Sequence, residues 1–213
     1  VTDILSLSYV GSLNEDLSPG VFVVINQYVD FTKNRITTFF DDDIVVHVSM
    51  ATPTDERLME ISRACLEKLD IKYNFGGSYI CIEGPQFSTQ EESRLFQNWR
   101  CDVIGMTSMP EAKLCREASL RYVNIGMVTD FDCWHPDHEN VEVSNVISTL
   151  KGNAEDAKKF ILEFLLDYSK STIKNKLNSY DSLVTAKNKI KKETVYKFKN
   201  IMPDLHKDFT KNK

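Results

Sequence analysis

Short apolar runs alternate with longer amphipathic stretches over residues 1–169. Apolar runs bounded by turn residues are typical of buried strands. They predict strands at 4–7, 21–25, 70–73, 78–82, 103–106 and 122–129. The second run follows the turn signal Ser18-Pro19-Gly20. Strands that alternate with helices predict an α/β fold, with a mixed central β-sheet flanked by helices.

The helices are predicted from apolar residues that recur at helical spacing in four stretches. We expect them to begin near Thr54, after Thr89, at Pro110 and before Ala154. Ser88 and Thr89 each precede a glutamate by three residues, which is the pattern of a capping box. The last helix is the most regular, because its apolar residues fall on one face.

The composition is that of a globular protein, with 213 residues of which 42% are hydrophobic and 27% charged. No apolar run approaches the ~20 residues that a membrane helix needs, and no charged leader precedes an apolar segment. The sequence opens on Val1, and a core strand is predicted within a few residues. We therefore expect an N-terminally incomplete domain.

The net charge of −5 conceals two regions of opposite sign. Residues 170–213 hold twelve lysines and four acidic residues, whereas the remaining residues hold 14 basic and 27 acidic side chains. An acidic body argues against nucleic-acid binding. We predict a domain over 1–169 and a lysine-rich C-terminal extension over 170–213. The extension either lies on the acidic residues of that domain or contacts nucleic acid or an acidic partner.

The five cysteines are odd in number, widely spaced and without a CxxC pair. This pattern predicts free thiols in a reducing cytoplasm rather than a disulfide framework or a zinc site. The histidines and acidic residues over 135–139 match no standard metal spacing, so no metal is expected.

Three predicted strand-to-helix junctions carry unusual polar residues, and ligands of α/β sheets bind beyond strand ends. In the first junction Phe87 and Ser88 follow a Gly-Pro turn, and Ser88 either caps the next helix or contacts a ligand. In the second, Thr107 precedes a helix that Pro110 opens. Helix capping and the binding of an anion such as phosphate are both open for Thr107.

The third junction places Asp130 and Asp132 at a strand end. Residues two apart on an extended chain point the same way, and neighbouring carboxylates raise the pKa of one of them. One carboxyl can then donate a proton while the other accepts. A purine edge needs this pair of groups. The alternatives are a metal site, for which no set of His and Glu ligands is evident, and plain helix capping. Cys133 beside them is interpreted as a packing residue rather than a nucleophile.

The three junctions closely resemble the methylthioadenosine phosphorylases, which belong to the trimeric purine nucleoside phosphorylase family. The matching segments are 82–88, 102–112 and 129–134, with further matches at 10–13, 18–20 and 47–51. The resemblance covers residue 1 to about residue 168. It implies a nucleoside phosphorylase-like fold, a cytoplasmic homotrimer without membrane contact, and phosphorolysis of S-methyl-5'-thioadenosine to adenine and methylthioribose 1-phosphate. Phosphate is then a co-substrate, and no cofactor is implied.

The resemblance also implies a role for individual positions. Asp130 and Asp132 would be the catalytic residues that hold the adenine edge and supply the proton for N7. The residues implied to bind the nucleoside are Ser88, Phe87, Met106, Val143, Val146 and, across a subunit interface, His47. Those implied to bind phosphate are Thr107, Ser8 and Tyr9.

Base and sugar selectivity follow from the same resemblance. Relatives that prefer 6-oxopurines favour an asparagine at the position of Asp130 and a glutamate at that of Ser88, so the sequence implies selectivity for adenine. Apolar Val143 favours a methylthio substituent over a free 5'-hydroxyl.

The sequence departs from the family pattern at two places. Tyr9 stands where a small residue is usual, and the Gly-rich phosphate loop and Arg-His pair of the family are not found in residues 1–213. Two hypotheses follow: a phosphorylase whose activity belongs to a complete chain, and a non-catalytic or decayed purine-binding paralogue. A purine nucleoside phosphorylase of other base specificity is a further alternative.

Overall fold

The computed structural model describes residues 1–41, 43–135, 143–171 and 176–211, and only the backbone of 143–151. The strands are β1 (Asp3–Ser12), β2 (Phe22–Ile25), β3 (Gln27–Phe31), β4 (Tyr73–Phe75), β5 (Ser78–Ile82), β6 (Val103–Gly105) and β7 (Arg121–Asp130). The helices are α1 (Glu56–Lys68), α2 (Gln90–Asn98), α3 (Ser108–Glu117), α4 (Val143–Lys170), α5 (Lys192–Lys197) and α6 (Pro203–Lys211). Short 3-10 turns lie at Ser179–Ser182 and Lys187–Lys189.

The strands form one sheet in the order β3-β5-β6-β1-β7-β2-β4. β1 and β7 pair in parallel, whereas β2 is antiparallel to β7 and β6 is antiparallel to β1. The register of β1 against β7 shifts between Val10 and Gly11, and β6 joins β1 at Gly11 and Ser12. The predicted mixed sheet flanked by helices is confirmed.

Helices cover both faces of the sheet, and the side chains of β2 alternate between them. Phe22 and Val24 pack in the apolar cluster that contains residues of α1 and α4. Val23 and Ile25 pack in the cluster that contains residues of α3. All four side chains are fully buried, and burial of such a side chain contributes roughly 1.5–3 kcal/mol. This double burial explains why β2 reads as a continuous apolar run.

Most predicted elements are confirmed, and two differences have clear physical causes. The strand predicted at 70–73 is wrong in position, because Asp70 adopts a positive φ of 54° just after α1 and the strand begins at Tyr73. β3 is not predicted because it is an edge strand whose side chains are exposed or half-buried, so it carries no apolar run.

The described part of the lysine-rich region has its own apolar cluster. Val195, Phe198 and Met202 pack there against Phe40 and Ile44, which lie between β3 and α1. Their burial agrees with an appendage that folds onto the body, although the proposed boundary at residue 169 stays a prediction. Among the described residues, no helix is both long and apolar enough to cross a membrane.

Candidate active site

An open cavity of about 260 Å³ lies where β1, β6 and β7 end. Its lining residues are Tyr9, Val10, Gly11, Ile82, Phe87, Ser88, Ile104, Gly105, Met106, Thr107, Thr129, Asp130 and Asp132. We call residues 83–88, which follow β5, the first loop, and residues 106–109, which follow β6, the second loop. The cavity thus brings together seven of the residues predicted for the site: Tyr9, Phe87, Ser88, Met106, Thr107, Asp130 and Asp132.

The two carboxylates reach the cavity because the chain turns after β7. Asp130 is the last residue of β7, and Asp132 has a positive φ of 51°. The backbone N–H of Asp132 donates to Oδ1 of Asp130 at 2.8 Å, and the Thr129 hydroxyl donates to Oδ2 of Asp130 at 2.7 Å. The two side chains therefore share the cavity through a local turn rather than through the alternation of an extended strand.

Burial raises the pKa of both carboxyl groups. Asp132 is 6% exposed, and burial raises its pKa to about 6. The charge of Asp130 adds to this increase, while a hydrogen bond from the buried Ser93 hydroxyl on α2 opposes it. Burial also raises the pKa of Asp130. The pair can therefore hold a proton near neutral pH, and the main cause is desolvation rather than like-charge repulsion.

Gly11 makes room for the carboxylate pair. A Cβ at this position would lie 3.0 Å from Oδ1 of Asp130, 3.1 Å from Ile104 and 3.5 Å from the Cβ of Asp132. Distances this short displace a neighbour. The close approach of β1 to the β7 turn therefore favours a residue without a side chain at this position in the cavity wall.

Ser88 does not cap α2, which resolves one of the alternatives left by the sequence. The cap is Thr89, whose side chain accepts from the N–H of Glu92 at 3.2 Å, while the Glu92 carboxylate accepts from the N–H of Thr89 at 2.7 Å. The Ser88 hydroxyl is buried in the cavity wall and has no hydrogen-bond partner among the described residues. It is therefore available to a ligand.

Cys133 supports the first loop and is poorly suited to act as a nucleophile. Its thiol donates to the carbonyl oxygen of Ser88 at 3.2 Å, and burial raises its pKa. The nucleophilic form of cysteine is the thiolate. The interpretation of Cys133 as a packing residue therefore fits the structure better.

The second loop presents a hydroxyl and a backbone turn to the cavity. Thr107 precedes α3 but makes no capping hydrogen bond with its side chain. Its N–H donates to the Tyr79 hydroxyl at 3.3 Å. Met109 has non-helical dihedral angles, so the regular part of α3 begins at Pro110. The Thr107 hydroxyl therefore lies at the cavity wall and does not cap α3.

Four predicted residues are not brought to the cavity by the described part of the structure. Ser8 is buried and donates to Oδ1 of Asn124 at 3.0 Å. His47 is exposed, and its backbone N–H donates to Ser182 at 3.0 Å. The side chains of Val143 and Val146 lie outside the described residues.

Two supporting residues escaped the sequence analysis. Ser93 contacts Asp132, and Arg35 donates to backbone carbonyls of both loops. Arg35 is 71 residues from Met106, and neither residue belongs to a local motif, so only the three-dimensional contacts identify them. Among the described residues, no group of three or more His, Cys, Asp or Glu side chains is arranged to hold a metal ion.

The sequence and the fold both define the class of protein. The family model described as "Phosphorylase superfamily" matches residues 1–166. The chain therefore belongs to the phosphorylase superfamily.

The individual relatives are more specific. The chain is 52% identical over 161 residues to an S-methyl-5'-thioadenosine phosphorylase of Rhodospirillum rubrum, a match that covers 76% of this chain and 55% of the relative. It is 46% identical over 169 residues to an enzyme of the same name from Emericella nidulans, which covers 78% of this chain and 48% of the relative. The chain thus spans about half the length of these curated relatives.

A solved structure extends the likeness to nearly the whole chain. A methylthioadenosine phosphorylase from an antarctic soil metagenomic library shares 39% sequence identity and a TM-score of 0.89, and the match covers 95% of this chain and 72% of that one. This likeness confirms the predicted nucleoside phosphorylase-like fold.

Proposed function

We propose that the cavity serves the phosphorolysis of S-methyl-5'-thioadenosine to adenine and methylthioribose 1-phosphate. The observation that carries the proposal is the pair of carboxyl groups, half-buried Asp130 and buried Asp132, in the same cavity as the unpartnered Ser88 hydroxyl. An ionised carboxylate accepts from a 6-amino group, and a protonated one donates to N7. Relatives of this chain carry the name of this enzyme.

The proton is the central element of the proposed reaction. Breaking the glycosidic bond leaves positive charge on the ribosyl group and negative charge on the departing base. Protonation of N7 makes adenine a neutral leaving group. We assign this proton to Asp132, whose raised pKa of about 6 keeps a minority of the molecules protonated near neutral pH. Phosphate is the nucleophile, and its charge stabilises the ribosyl cation.

The other predicted residues complete the proposed site. Phe87 would pack on the base or ribose, Met106 would contact the ribose, and Thr107 would bind phosphate. The support for these three roles is that all of them line the same cavity as the carboxylates. The roles of Ser8, in phosphate binding, and of Val143 and Val146, at the methylthio group, rest on the family resemblance alone.

A homotrimer is part of the proposal, with His47 lent to the substrate pocket of a neighbouring subunit. The support is that His47 is exposed and lies away from the cavity of its own chain. We also propose a cytoplasmic location, because all five cysteines are free thiols.

A purine-binding protein without catalysis is the second candidate. Tyr9 favours it, because this side chain lines the cavity, 44% exposed, where the family usually has a small residue. A phenol in this place takes up room that a sugar or phosphate would need. Purine binding without turnover requires only the carboxylate side of the cavity.

Adenine release from S-methyl-5'-thioadenosine, with and without phosphate, tests the two candidates. We would compare the 213-residue chain with a chimera that carries, before Val1, the segment that precedes the matched region in the Rhodospirillum rubrum relative. Phosphate-dependent release by either protein supports the phosphorylase. If both proteins bind adenine but neither releases it from S-methyl-5'-thioadenosine, the second candidate is supported. If the base is released from inosine and no adenine is released from S-methyl-5'-thioadenosine, the substrate assignment is refuted.

A further inference from the structure

One arginine outside the cavity holds both of the loops that form it. Arg35 lies in the segment after β3, with its side chain 20% exposed. Its Nη1 donates to the carbonyl oxygen of Met106 at 2.7 Å and to that of Met109. Its Nη2 donates to the carbonyl oxygens of Glu83 at 2.9 Å and Ile82 at 3.2 Å. A single guanidinium group therefore binds the start of the first loop and both ends of the second.

Glu83 completes the arrangement and balances its charge. The Glu83 carboxylate accepts from Nε of Arg35 at 3.3 Å and from the backbone N–H groups of Lys33 at 2.6 Å and Asn34 at 3.3 Å. These hydrogen bonds, that of Lys33 first, lower the pKa of Glu83. The carboxylate thus stays ionised beside Arg35 and ties the segment after β3 to the first loop.

The contacts use properties that only arginine has. Its guanidinium group presents five N–H donors in a rigid plane, whereas a lysine ammonium is a compact charge on a flexible stem. A rigid planar group that binds carbonyls of two segments fixes the distance between those segments. The distance matters because Phe87 and Ser88 lie on the first loop and Met106 on the second.

We propose that Arg35 is a positioning residue, which sets the separation of the two loops and thereby the width of the cavity. The inference rests on the proposed function, since the loops carry the residues assigned to nucleoside and phosphate. Arg35 is not one of the residues that line the cavity. It acts on a ligand only through the loops, and a displacement of about 1 Å in such positioning costs up to ~100-fold in rate.

Hydrogen exchange measured by mass spectrometry tests the structural part without any substrate. Arg35→Lys keeps the charge and Arg35→Ala removes the group. Arg63→Ala is the matched control, because Arg63 is a half-exposed arginine on α1 that pairs with Glu60. We expect amide exchange at least tenfold faster in both loops of the two Arg35 variants, with α1 unchanged. Unchanged exchange in the loops, or equal acceleration in α1, would overturn the proposal.

Kinetics test the functional part on whichever protein, the 213-residue chain or the chimera, releases adenine. In both Arg35 variants we expect KM for the nucleoside to rise at least tenfold, with a smaller fall in kcat. Millimolar methylguanidinium should restore KM in Arg35→Ala, and it should have no effect on Arg63→Ala. An unchanged KM would contradict a positioning role. If neither wild-type protein releases adenine, the proposed function fails, while the exchange experiment still decides the role of Arg35.

Discussion

Replacement of Asp132 by asparagine should stabilise the protein at neutral pH, although it removes the proposed proton donor. Burial raises the pKa of Asp132 from 3.8 to about 6. The folded state therefore binds this proton more tightly than the unfolded state does. A difference of about two pKa units corresponds to about 3 kcal/mol.

The sign of the effect follows from proton linkage. A carboxyl group with a raised folded-state pKa favours folding at low pH, and this contribution is lost as the pH rises from about 4 to about 6. Asparagine has no proton to lose. Asp132→Asn should therefore exceed the wild type in free energy of unfolding by about 3 kcal/mol at pH 7.5, and by less than about 1 kcal/mol at pH 4.

Urea denaturation followed by circular dichroism measures both values. Asp16→Asn is the control, because Asp16 is exposed and a surface substitution changes stability by less than about 0.5 kcal/mol. If Asp132→Asn is no more stable than the wild type at pH 7.5, then burial of the ionised Asp132 carboxylate does not lower the free energy of unfolding. An equal gain at pH 4 and pH 7.5 would show that the gain does not come from ionisation.

Three further substitutions test individual contacts. Gly11→Ala should weaken adenine binding about tenfold, or ~1.4 kcal/mol. The reason is that the alanine Cβ would lie 3.0 Å from Oδ1 of Asp130. An unchanged affinity in titration calorimetry would contradict this prediction. Thr89→Ala removes the capping box of α2 and should cost about 1 kcal/mol in urea denaturation. Asp3→Ala leaves the buried side chain of Arg121 without its ion-pair partner and should cost roughly 3–5 kcal/mol in the free energy of unfolding; a loss below 1 kcal/mol would show that water replaces the carboxylate.

The strands β2 and β5 were predictable because most of their side chains are buried on both faces of the sheet. β2 and β5 read as continuous apolar runs, and their predicted positions agree with the structure within one residue. The edge strand β3 has no such run, because its side chains are exposed or half-buried. Local sequence therefore predicts an element well where tertiary burial dictates every position, and poorly at the margin of the sheet.

The sequence predicted that Asp130 and Asp132 share a site, but a turn brings them together rather than the alternation of an extended strand. The carboxylates at positions 130 and 132 lie at a strand end, as expected, but the positive φ of Asp132 brings them together. Their raised pKa values come first from burial, which depends on α2 and β1. The contacts of Ser93 and Arg35 span 39 and 71 residues. The local pattern of hydrophobic and polar residues cannot predict contacts over such sequence separations.

The charge of the cavity lining favours binding of the purine base over binding of phosphate. The described lining of the cavity holds two acidic residues, Asp130 and Asp132, and no lysine or arginine. Such a lining suits a neutral purine, whose edge exchanges hydrogen bonds with the carboxyl groups, and it opposes a phosphate anion. Phosphorolysis therefore needs a cationic group from another segment or subunit, whereas base binding does not. For this reason, a comparison of the 213-residue chain with the chimera distinguishes a phosphorylase from a purine-binding protein.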